Sequence, residues 1–337
     1  RTHHYHGSSP YATRSLAETL SVHQRALGYS LTKGTALWWF TLCGDNTFHD
    51  EAIMADIARL QRAALANLGV SKTHVHEVAV LADEQTFLSL RMGVRELMQP
   101  LTQALHYKLA TMGAPFDMYL LSDIACPRMP DYKLYVMLNP FYLTDAMRQA
   151  IKDKLRRNGA AAAWFYAPGY VREDGRLDAG GIGDLTGMRV RESADPRPLR
   201  LAITHFDHPI TAEIERSDAL GRTEPVGPVF WVDDPRAVVL GRLAPDGKPG
   251  LAVRDFGTWR SVYSSAPLVT TGLLRGLLRY AGAHVYSTSD DTFYANRHFA
   301  MIHAATAGRK EIALPRACDV SDVLTGQSLG RNTRAIR

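Results

Sequence analysis

Three histidines lie among the first six residues, in a segment (1–13) that is rich in Ser, Gly and Pro and shows no sustained periodicity. An imidazole can both donate and accept a hydrogen bond, so His4 and His6 are candidates for contacting a polar ligand. A zinc ion normally takes three or four protein ligands, and no carboxylate or cysteine stands at a matching spacing. We therefore predict polar ligand contacts and no metal, with solvated loop residues as the alternative.

A pair of tryptophans lies near the end of the next conspicuous run. Thr35–Leu42 is rich in apolar and aromatic residues, which is typical of a parallel strand buried on both faces. Trp38 and Trp39 are adjacent, so in a strand they point to opposite sides, and one indole could offer a flat apolar face to a ring-shaped ligand. Plain packing is the alternative for both. Asp45 and His49, in the following loop, add hydrogen-bonding groups.

Two amphipathic helices flank this run. Residues 14–29 and 53–68 repeat apolar side chains at roughly helical spacing. The order of helix, strand, loop and helix fits the last turn of a (β/α)₈ barrel, in which chemistry lies in loops at the carboxyl ends of the strands. We therefore expect ligand contacts in the loops at 1–13 and 43–50.

From residue 77 to residue 166, apolar strands alternate with helices, which predicts a flavodoxin-like, doubly wound parallel sheet. The predicted helices are Thr86–Met112 and Thr144–Arg157, and Thr144 is the predicted N-cap of the second. The predicted strands are Glu77–Asp83, Asp117–Ser122, Tyr132–Leu138 and Ala160–Tyr166.

Beyond residue 169 the composition shifts to Gly, Pro, Asp and Arg. Gly180–Gly183 neither follows a clear strand nor opens a clear helix, so it predicts a flexible loop. A helix is predicted at Pro267–Tyr280, and Glu311–Pro315 leads into Asp319–Gly326, which indicates the start of a small β-module. Further short strands are predicted at Leu201–Thr204, Phe230–Val232, Ala237–Leu243, His284–Ser287 and Phe299–Ala304.

Two acidic pairs occupy positions where a doubly wound sheet can bind a ligand. Asp83–Glu84 follows the first strand of the sheet and Asp233–Asp234 lies in a loop, but no glycine-rich phosphate loop accompanies either pair. The segment His205–Pro209 contains two histidines and an aspartate. We predict a turn there in preference to a metal site, because no third ligand motif accompanies it.

Composition and charge exclude several classes of protein. Of the 337 residues 46% are hydrophobic and 22% charged, as in ordinary globular domains. The net charge of +5 comes from residues scattered along the chain. The sequence shows no stripe of basic residues interleaved with aromatic ones, so nucleic-acid binding is not expected. The longest apolar stretch, Ala160–Ala167, is far shorter than the roughly 20 residues that span a bilayer, so no membrane partner is expected.

The three cysteines are widely spaced and odd in number, which predicts neither a disulfide framework nor a metal site. No cofactor motif is present, so no cofactor is expected. The sequence begins at Arg1 without an initiator Met or a signal-like segment. We expect the natural polypeptide to extend upstream, and these residues do not indicate a cellular compartment.

Three stretches, in order along the chain, resemble glycosidases related to family 42 β-galactosidases. Gly28–Phe40 resembles their eighth-strand region, and Asp131–Leu143 is similar to the signature of their trimerisation domain. Trp259–Ser264 together with Ala281–Tyr286 looks like the end of that domain. The resemblance covers most of the chain, and its second stretch is the most specific.

The resemblance implies a retaining glycosidase built from a barrel, an assembly domain related in fold to class I glutamine amidotransferases, and a small β-domain. Both catalytic carboxylates would then precede Arg1, so no catalytic residue is assigned within this sequence. Amidotransferase chemistry itself is not expected, because neither Cys43 nor Cys126 has the flanking glycines of a nucleophile turn. The usual galactose-binding residues after the eighth strand have no match, which leaves the sugar open.

The sequence therefore predicts an α/β protein of three parts: the end of a barrel (1–70), a flavodoxin-like assembly domain (75–315) and the start of a β-module (316–337). The expected function is retaining hydrolysis of a β-linked sugar, with carbohydrate as substrate and a homo-oligomer, a trimer by the resemblance, as the assembly. A non-catalytic flavodoxin-like module that assembles subunits or binds a ligand is the alternative. The predicted sugar-contacting residues are Trp38, Trp39, His4, His6, Asp45 and His49.

Overall fold

A computed structural model describes residues 13–39, 50–90, 95–157, 159–216, 220–267 and 270–337. The chain divides into two compact units. Unit 1 comprises residues 1–75, 113–115 and 286–337, and unit 2 comprises residues 76–112 and 116–285. No helix within the described ranges is both long and apolar enough to cross a membrane. The predicted three-part division of the chain stays a prediction.

The described helices fall in both units. They are α1 (Leu16–Lys33), α2 (Glu51–Ala66), α3 (Glu84–Ser89), α4 (Arg95–Gln99), α5 (Leu105–Ala110), α6 (Asp145–Arg156), α7 (Ala179–Thr186) and α8 (Thr271–Ala281), with a π-helical turn at Pro100–Ala104 and a 3₁₀ turn at Leu121–Ala125.

The described strands come between and after these helices. They are β1 (Val78–Ala82), β2 (Asp117–Leu120), β3 (Leu134–Met137), β4 (Tyr142–Leu143), β5 (Ala161–Phe165), β6 (Val171–Arg172), β7 (Val190–Ser193), β8 (Arg197–Ile203), β9 (Leu220–Val226), β10 (Val229–Val232), β11 (Val238–Ala244), β12 (Pro249–Asp255), β13 (Arg260–Ser264), β14 (Thr292–Ala295), β15 (Ala300–His303), β16 (Ile312–Ser321) and β17 (Ser328–Ile336).

A nine-stranded sheet forms the centre of unit 2, in the order β2-β1-β3-β5-β13-β12-β11-β8-β9. The strands from β2 to β13 are parallel, and the pairs from β13 to β9 are antiparallel. The α/β class is therefore confirmed, and β1, β2, β3 and β5 lie where the sequence predicted them. All residues of β3 and β5 are buried, as expected of parallel strands covered on both faces.

The predicted long helix Thr86–Met112 is wrong. The chain forms α3, whose C-cap Leu90 is extended, and later passes from α4 through a π-helical turn that begins at Pro100 before α5. Proline has no backbone N–H and its ring clashes with the carbonyl four residues before it. The π-helical turn accommodates the proline, and residues 95–110 stay helical throughout. The break in the predicted helix therefore lies after α3, at Leu90, and the apolar pattern alone does not reveal it.

The prediction of a loop at Gly180–Gly183 is also wrong, since these glycines lie in α7. Asp178 caps the helix by accepting a hydrogen bond from the Gly180 N–H (2.8 Å), and Gly187 closes it with φ +70°. A Cβ on Gly181 would overlap the carbonyl oxygen of Gly169. Glycine at this position therefore serves close packing and does not indicate a flexible loop.

In unit 1, α1 and α2 are both capped by side chains and share a core. The Ser15 hydroxyl accepts from the Glu18 N–H (3.2 Å), and the Asp50 carboxylate accepts from the N–H groups of Ala52 (2.9 Å) and Ile53 (3.1 Å). Leu27, Leu31 and Leu60 form the buried cluster between the helices. The predicted helices that flank the tryptophan pair are thereby confirmed.

Two predicted strands are not seen among the residues that the structure describes. Residues 35–39 of the run Thr35–Leu42 lie in no strand, and residues 40–42 fall outside the described ranges. His284–Ser287 also lies outside any strand; instead the N–H groups of Tyr286 and Ser287 donate to the carbonyl of Gly113. A parallel strand requires neighbouring strands as hydrogen-bonding partners, which a local apolar run cannot supply.

The C-terminal segment of unit 1 consists of two antiparallel pairs, β14 with β15 and β16 with β17. Buried Tyr286 and Phe293 stack at 5.1 Å, and Ile302 and Ile312 pack against their cluster. The predicted strands Phe299–Ala304 and Glu311–Pro315 are represented by β15 and by the start of β16.

Candidate functional site

Trp38 and Trp39 differ sharply in environment. Trp38 is 71% exposed, whereas Trp39 is half-buried and packs against the α1–α2 cluster of Leu27, Leu31 and Leu60. α1 ends at Gly34 in the left-handed conformation (φ +70°), which turns the chain into the segment that carries both tryptophans. One indole thus anchors the segment while its neighbour presents its ring to solvent.

A buried histidine lies beside the anchoring indole. The ring of His23, on α1, meets the ring of Trp39 edge-on at 4.5 Å. Burial lowers the pKa of His23, and the negative charge of Asp56 opposes this shift only in part. Asp56 is buried on α2 and accepts hydrogen bonds from Arg59. Sequence reasoning missed this group, although His23 and Asp56 stand out as ionisable residues on core-facing helix positions.

The other four predicted contacts, His4, His6, Asp45 and His49, lie outside the described residues. The structure therefore places two of the six predicted site residues, and the sugar-contacting role of all six stays a prediction. Trp39 packs on the α1–α2 cluster and Trp38 is 71% exposed, but the choice between plain packing and ligand contact stays a prediction for both.

Asp83 lies at the carboxyl edge of the sheet in unit 2, directly after β1 and at the start of α3. Its carboxylate accepts from the N–H groups of Gln85 (3.2 Å) and Thr86 (3.0 Å) and from the Thr86 hydroxyl. Its backbone exchanges two hydrogen bonds with the buried side chain of Asn139, at 2.8 and 2.9 Å. Burial raises the pKa of Asp83, and the hydrogen bonds from Thr86 and Gln85 offset part of that rise.

This network occupies the position where a doubly wound sheet usually binds a ligand. The Thr86 hydroxyl also accepts from the N–H groups of Phe141 (3.0 Å) and Tyr142 (3.1 Å). Asp83 therefore caps α3, and its network links the segments that follow β1 and β3. These hydrogen bonds give the carboxylate a structural role that requires no bound ligand. The second acidic pair is structural as well: Asp233 bridges Arg189 and Arg191, and Asp234 pairs with Arg254.

Tyr166 adopts the left-handed conformation (φ +61°) directly after β5. Its hydroxyl donates to the carbonyl of Pro228 (2.7 Å), and its own carbonyl accepts from the Tyr263 hydroxyl (2.6 Å). Burial raises the pKa of the Tyr166 phenol, which keeps it neutral. The hydroxyl and the carbonyl of Tyr166 are thus both engaged by hydrogen bonds within unit 2. Cys126, which the sequence did not favour as a nucleophile, lies directly after the 3₁₀ turn at Leu121–Ala125.

The His205–Pro209 segment forms a turn, as predicted. The Nδ1 atom of His208 accepts from the Ile210 N–H (3.2 Å), and the Thr211 hydroxyl donates to the His205 carbonyl (2.5 Å). Burial lowers the pKa of His208, and the neighbouring His205 adds to that shift.

The geometry defines an α/β chain whose sheet changes from parallel to antiparallel, joined to a unit of helices and β-hairpins. No protein-family model and no curated protein matches this sequence. The solved structures that resemble this chain include β-galactosidases, some of them described as GH42 enzymes, so the resemblance predicted from the sequence is confirmed at the level of the fold.

Three of these structures span different organisms. A β-galactosidase from Bacillus circulans sp. alkalophilus superposes with a TM-score of 0.67 at 16% identity, over 100% of this chain and 54% of its own. The cold-adapted β-galactosidase of Rahnella sp. R3 gives 0.67 at 14% identity, over 99% and 52%. A catalytic variant of a GH42 β-galactosidase from G. stearothermophilus gives 0.64 at 14% identity, over 96% and 50%. This chain thus spans about half the length of each.

Proposed function

We propose that this chain is the C-terminal part of a retaining glycoside hydrolase that acts on a β-linked sugar, with β-galactosides as the first substrates to test. The observation that carries the proposal is the fold likeness to β-galactosidases along the entire chain. A retaining enzyme needs two carboxyl groups about 5 Å apart, one as nucleophile and one as acid and base. On this proposal barrel strands before Arg1 carry both.

The residues of this chain then line and orient the sugar site. The exposed ring of Trp38 supplies a flat apolar face for a sugar ring, whose C–H groups stack on aromatic surfaces. Packing of Trp39 on Leu27, Leu31 and Leu60 fixes the backbone beside it. His4, His6, Asp45 and His49 are proposed to hydrogen-bond the sugar hydroxyls.

Unit 2 is proposed to assemble subunits, in a trimer. Its nine-stranded sheet has its own buried core, with Trp164, Tyr135 and Tyr263 among its largest fully buried side chains. Such a unit can support assembly without taking part in catalysis. The proposal is checked by the mass of the purified full polypeptide in analytical ultracentrifugation, where a monomer would contradict it.

The enzymatic proposal is tested with the full polypeptide on a panel of chromogenic β-glycosides. We expect hydrolysis of at least one, with retained anomeric configuration by NMR. Trp38→Ala should raise KM about 2- to 12-fold, the equivalent of losing one aromatic contact. Leu68→Ala is the matched control, because Leu68 is 77% exposed and lies beyond the end of α2.

Two outcomes would contradict these statements. Absence of hydrolysis across the panel would contradict the proposed enzymatic function and favour a non-catalytic module that assembles subunits or binds a ligand. Equal kinetics for Trp38→Ala and Leu68→Ala would leave hydrolysis standing and remove Trp38 from the sugar site.

A further inference from the structure

A groove of about 1490 Å³ lies within unit 1, bordered by residues of α1, β15 and the hairpin of β16 and β17. Its floor forms where β15 approaches α1 closely, since a Cβ on Gly28 would overlap the side chain of Met301. The Ser21 hydroxyl also contacts the Nε2 atom of His303 at 3.1 Å. Sequence reasoning did not foresee this groove.

Positive charge dominates its border, with six basic and two acidic side chains. Lys310 is neutralised by buried Asp291 (3.0 Å), and Arg337 pairs with Glu311 (2.7 Å). The remaining four form no ion pair with a carboxylate of the described residues; they are Arg25, Arg297, Arg309 and Arg316. We call this surface the basic groove.

The two acidic residues of the border are held by their own hairpin. Asp319 accepts from the Asn332 N–H (2.8 Å), and Asp322 accepts from the N–H groups of Leu324 (3.0 Å) and Thr325 (2.7 Å). Burial acts to raise the pKa of Asp322, but the hydrogen bonds from Thr325 and Leu324 bring it below its ordinary value. Both carboxylates thus stabilise the β16–β17 turn, and the arginines keep a net positive charge around the groove.

A neighbouring histidine already responds to this charge. Burial lowers the pKa of His303, and the positive charge of half-buried Arg25 lowers it further, while the negative charge of Asp291 opposes the shift in part. A bound anion would offset the repulsion between Arg25 and a protonated His303.

We propose that the basic groove binds an acidic saccharide, a sugar chain that carries carboxylate or sulfate groups. The planar guanidinium of arginine donates paired N–H groups to the oxygens of such anions, and these charge-assisted hydrogen bonds are strong. The saccharide part of this statement rests on the proposed function. The anionic part rests on the arginines that border the groove.

The test is isothermal titration calorimetry of the full polypeptide with three probes: a galacturonic acid tetramer, a chondroitin sulfate tetramer and a neutral galactose tetramer. We expect the acidic tetramers to bind more tightly than the neutral one. The double variant Arg309→Gln with Arg316→Gln should weaken that binding at least about tenfold, because each arginine contributes charge-assisted hydrogen bonds. The matched control is Arg331→Gln with Arg334→Gln, exposed residues of the same hairpin that do not border the groove, and it should change binding less than about twofold.

Equal weakening by both double variants, or binding of the neutral tetramer as tight as that of the acidic ones, would overturn the proposal. Tighter binding of a single-stranded DNA oligomer than of either acidic tetramer would assign the groove to nucleic acid instead. Hydrolysis of neutral chromogenic glycosides reports separately on the proposed function. If the parent protein hydrolyses none of these glycosides but still binds the acidic tetramers at the groove, the proposed enzymatic function is contradicted and the anion-binding site is supported.

Discussion

The network of Asp83 allows a matched pair of substitutions. Asp83→Ala removes the acceptor for the N–H groups of Gln85 and Thr86 and for the buried Thr86 hydroxyl. Losing an N-cap costs about 1 kcal/mol, and leaving a buried hydroxyl without an acceptor costs about 1–3 kcal/mol. The free energy of unfolding of unit 2 should therefore fall by about 2–4 kcal/mol. Asp83→Asn keeps one oxygen for Thr86 and should cost no more than about 1 kcal/mol at pH 7.

The pH dependence has a definite sign. The folded protein holds the pKa of Asp83 above its ordinary value, so the folded state binds this proton more tightly than the unfolded state does. The resulting stabilisation is fully present below the ordinary pKa and is lost as the pH rises through the raised one. Asn does not titrate. The stability of Asp83→Asn relative to the parent should therefore increase as the pH is raised from about 4 to 7.

Urea unfolding at several pH values measures these differences, and hydrogen exchange of the β1 and α3 amides assigns them to this part of unit 2. If Asp83→Ala costs no more than Asp83→Asn at pH 7, the carboxylate does not hold α3 and the strands together. If the difference between parent and Asp83→Asn is constant with pH, the raised pKa is wrong.

Two further predictions concern packing and titration. Gly181→Ala should lower the free energy of unfolding by about 1–3 kcal/mol, because the added Cβ overlaps the Gly169 carbonyl. Gly69→Ala is the control and should be close to neutral, because no atom lies within 4 Å of its Cβ. Equal shifts of the calorimetric melting temperature in both variants would refute the close-packing argument. Because the folded protein lowers the pKa of His23, the stabilisation is present above the ordinary histidine pKa and is lost as the pH falls through the folded value. The melting temperature of the parent should therefore drop more than that of His23→Gln between about pH 7 and 5. Parallel curves of melting temperature against pH would contradict this.

Local signals in the sequence predicted part of this molecule well. The apolar runs of β1, β3 and β5 are short and uninterrupted, and the Thr144 hydroxyl accepts from the Met147 N–H (3.2 Å), as expected of an N-cap. Each of these features depends on residues within one turn or one strand. The tryptophan segment was predicted less well because a strand needs partner strands. The helix after β1 was predicted too long because its apolar spacing does not show that α3 ends at an extended Leu90.

The same division applies to the candidate sites. The sequence identified Trp38 and Trp39 as a pair but not which indole would be exposed, because that depends on α2, whose Leu60 packs with Leu27 and Leu31 on α1. From the sequence, Asp83 was a candidate for binding a ligand. Its structural role was not visible there, because its partner Asn139 lies 56 residues further along the chain. The basic groove combines side chains of α1 with those of the C-terminal hairpin, and no local pattern connects them.

The order of residues along the chain was enough to predict the α/β class, the central parallel strands, the N-cap at Thr144 and the resemblance to family 42 glycosidases. The folded chain was needed to show which polar groups are engaged in the core and which border a groove. The physical reason is that helix capping and strand burial follow from neighbouring residues. The exposure and charge of a side chain depend instead on distant segments that fold against it.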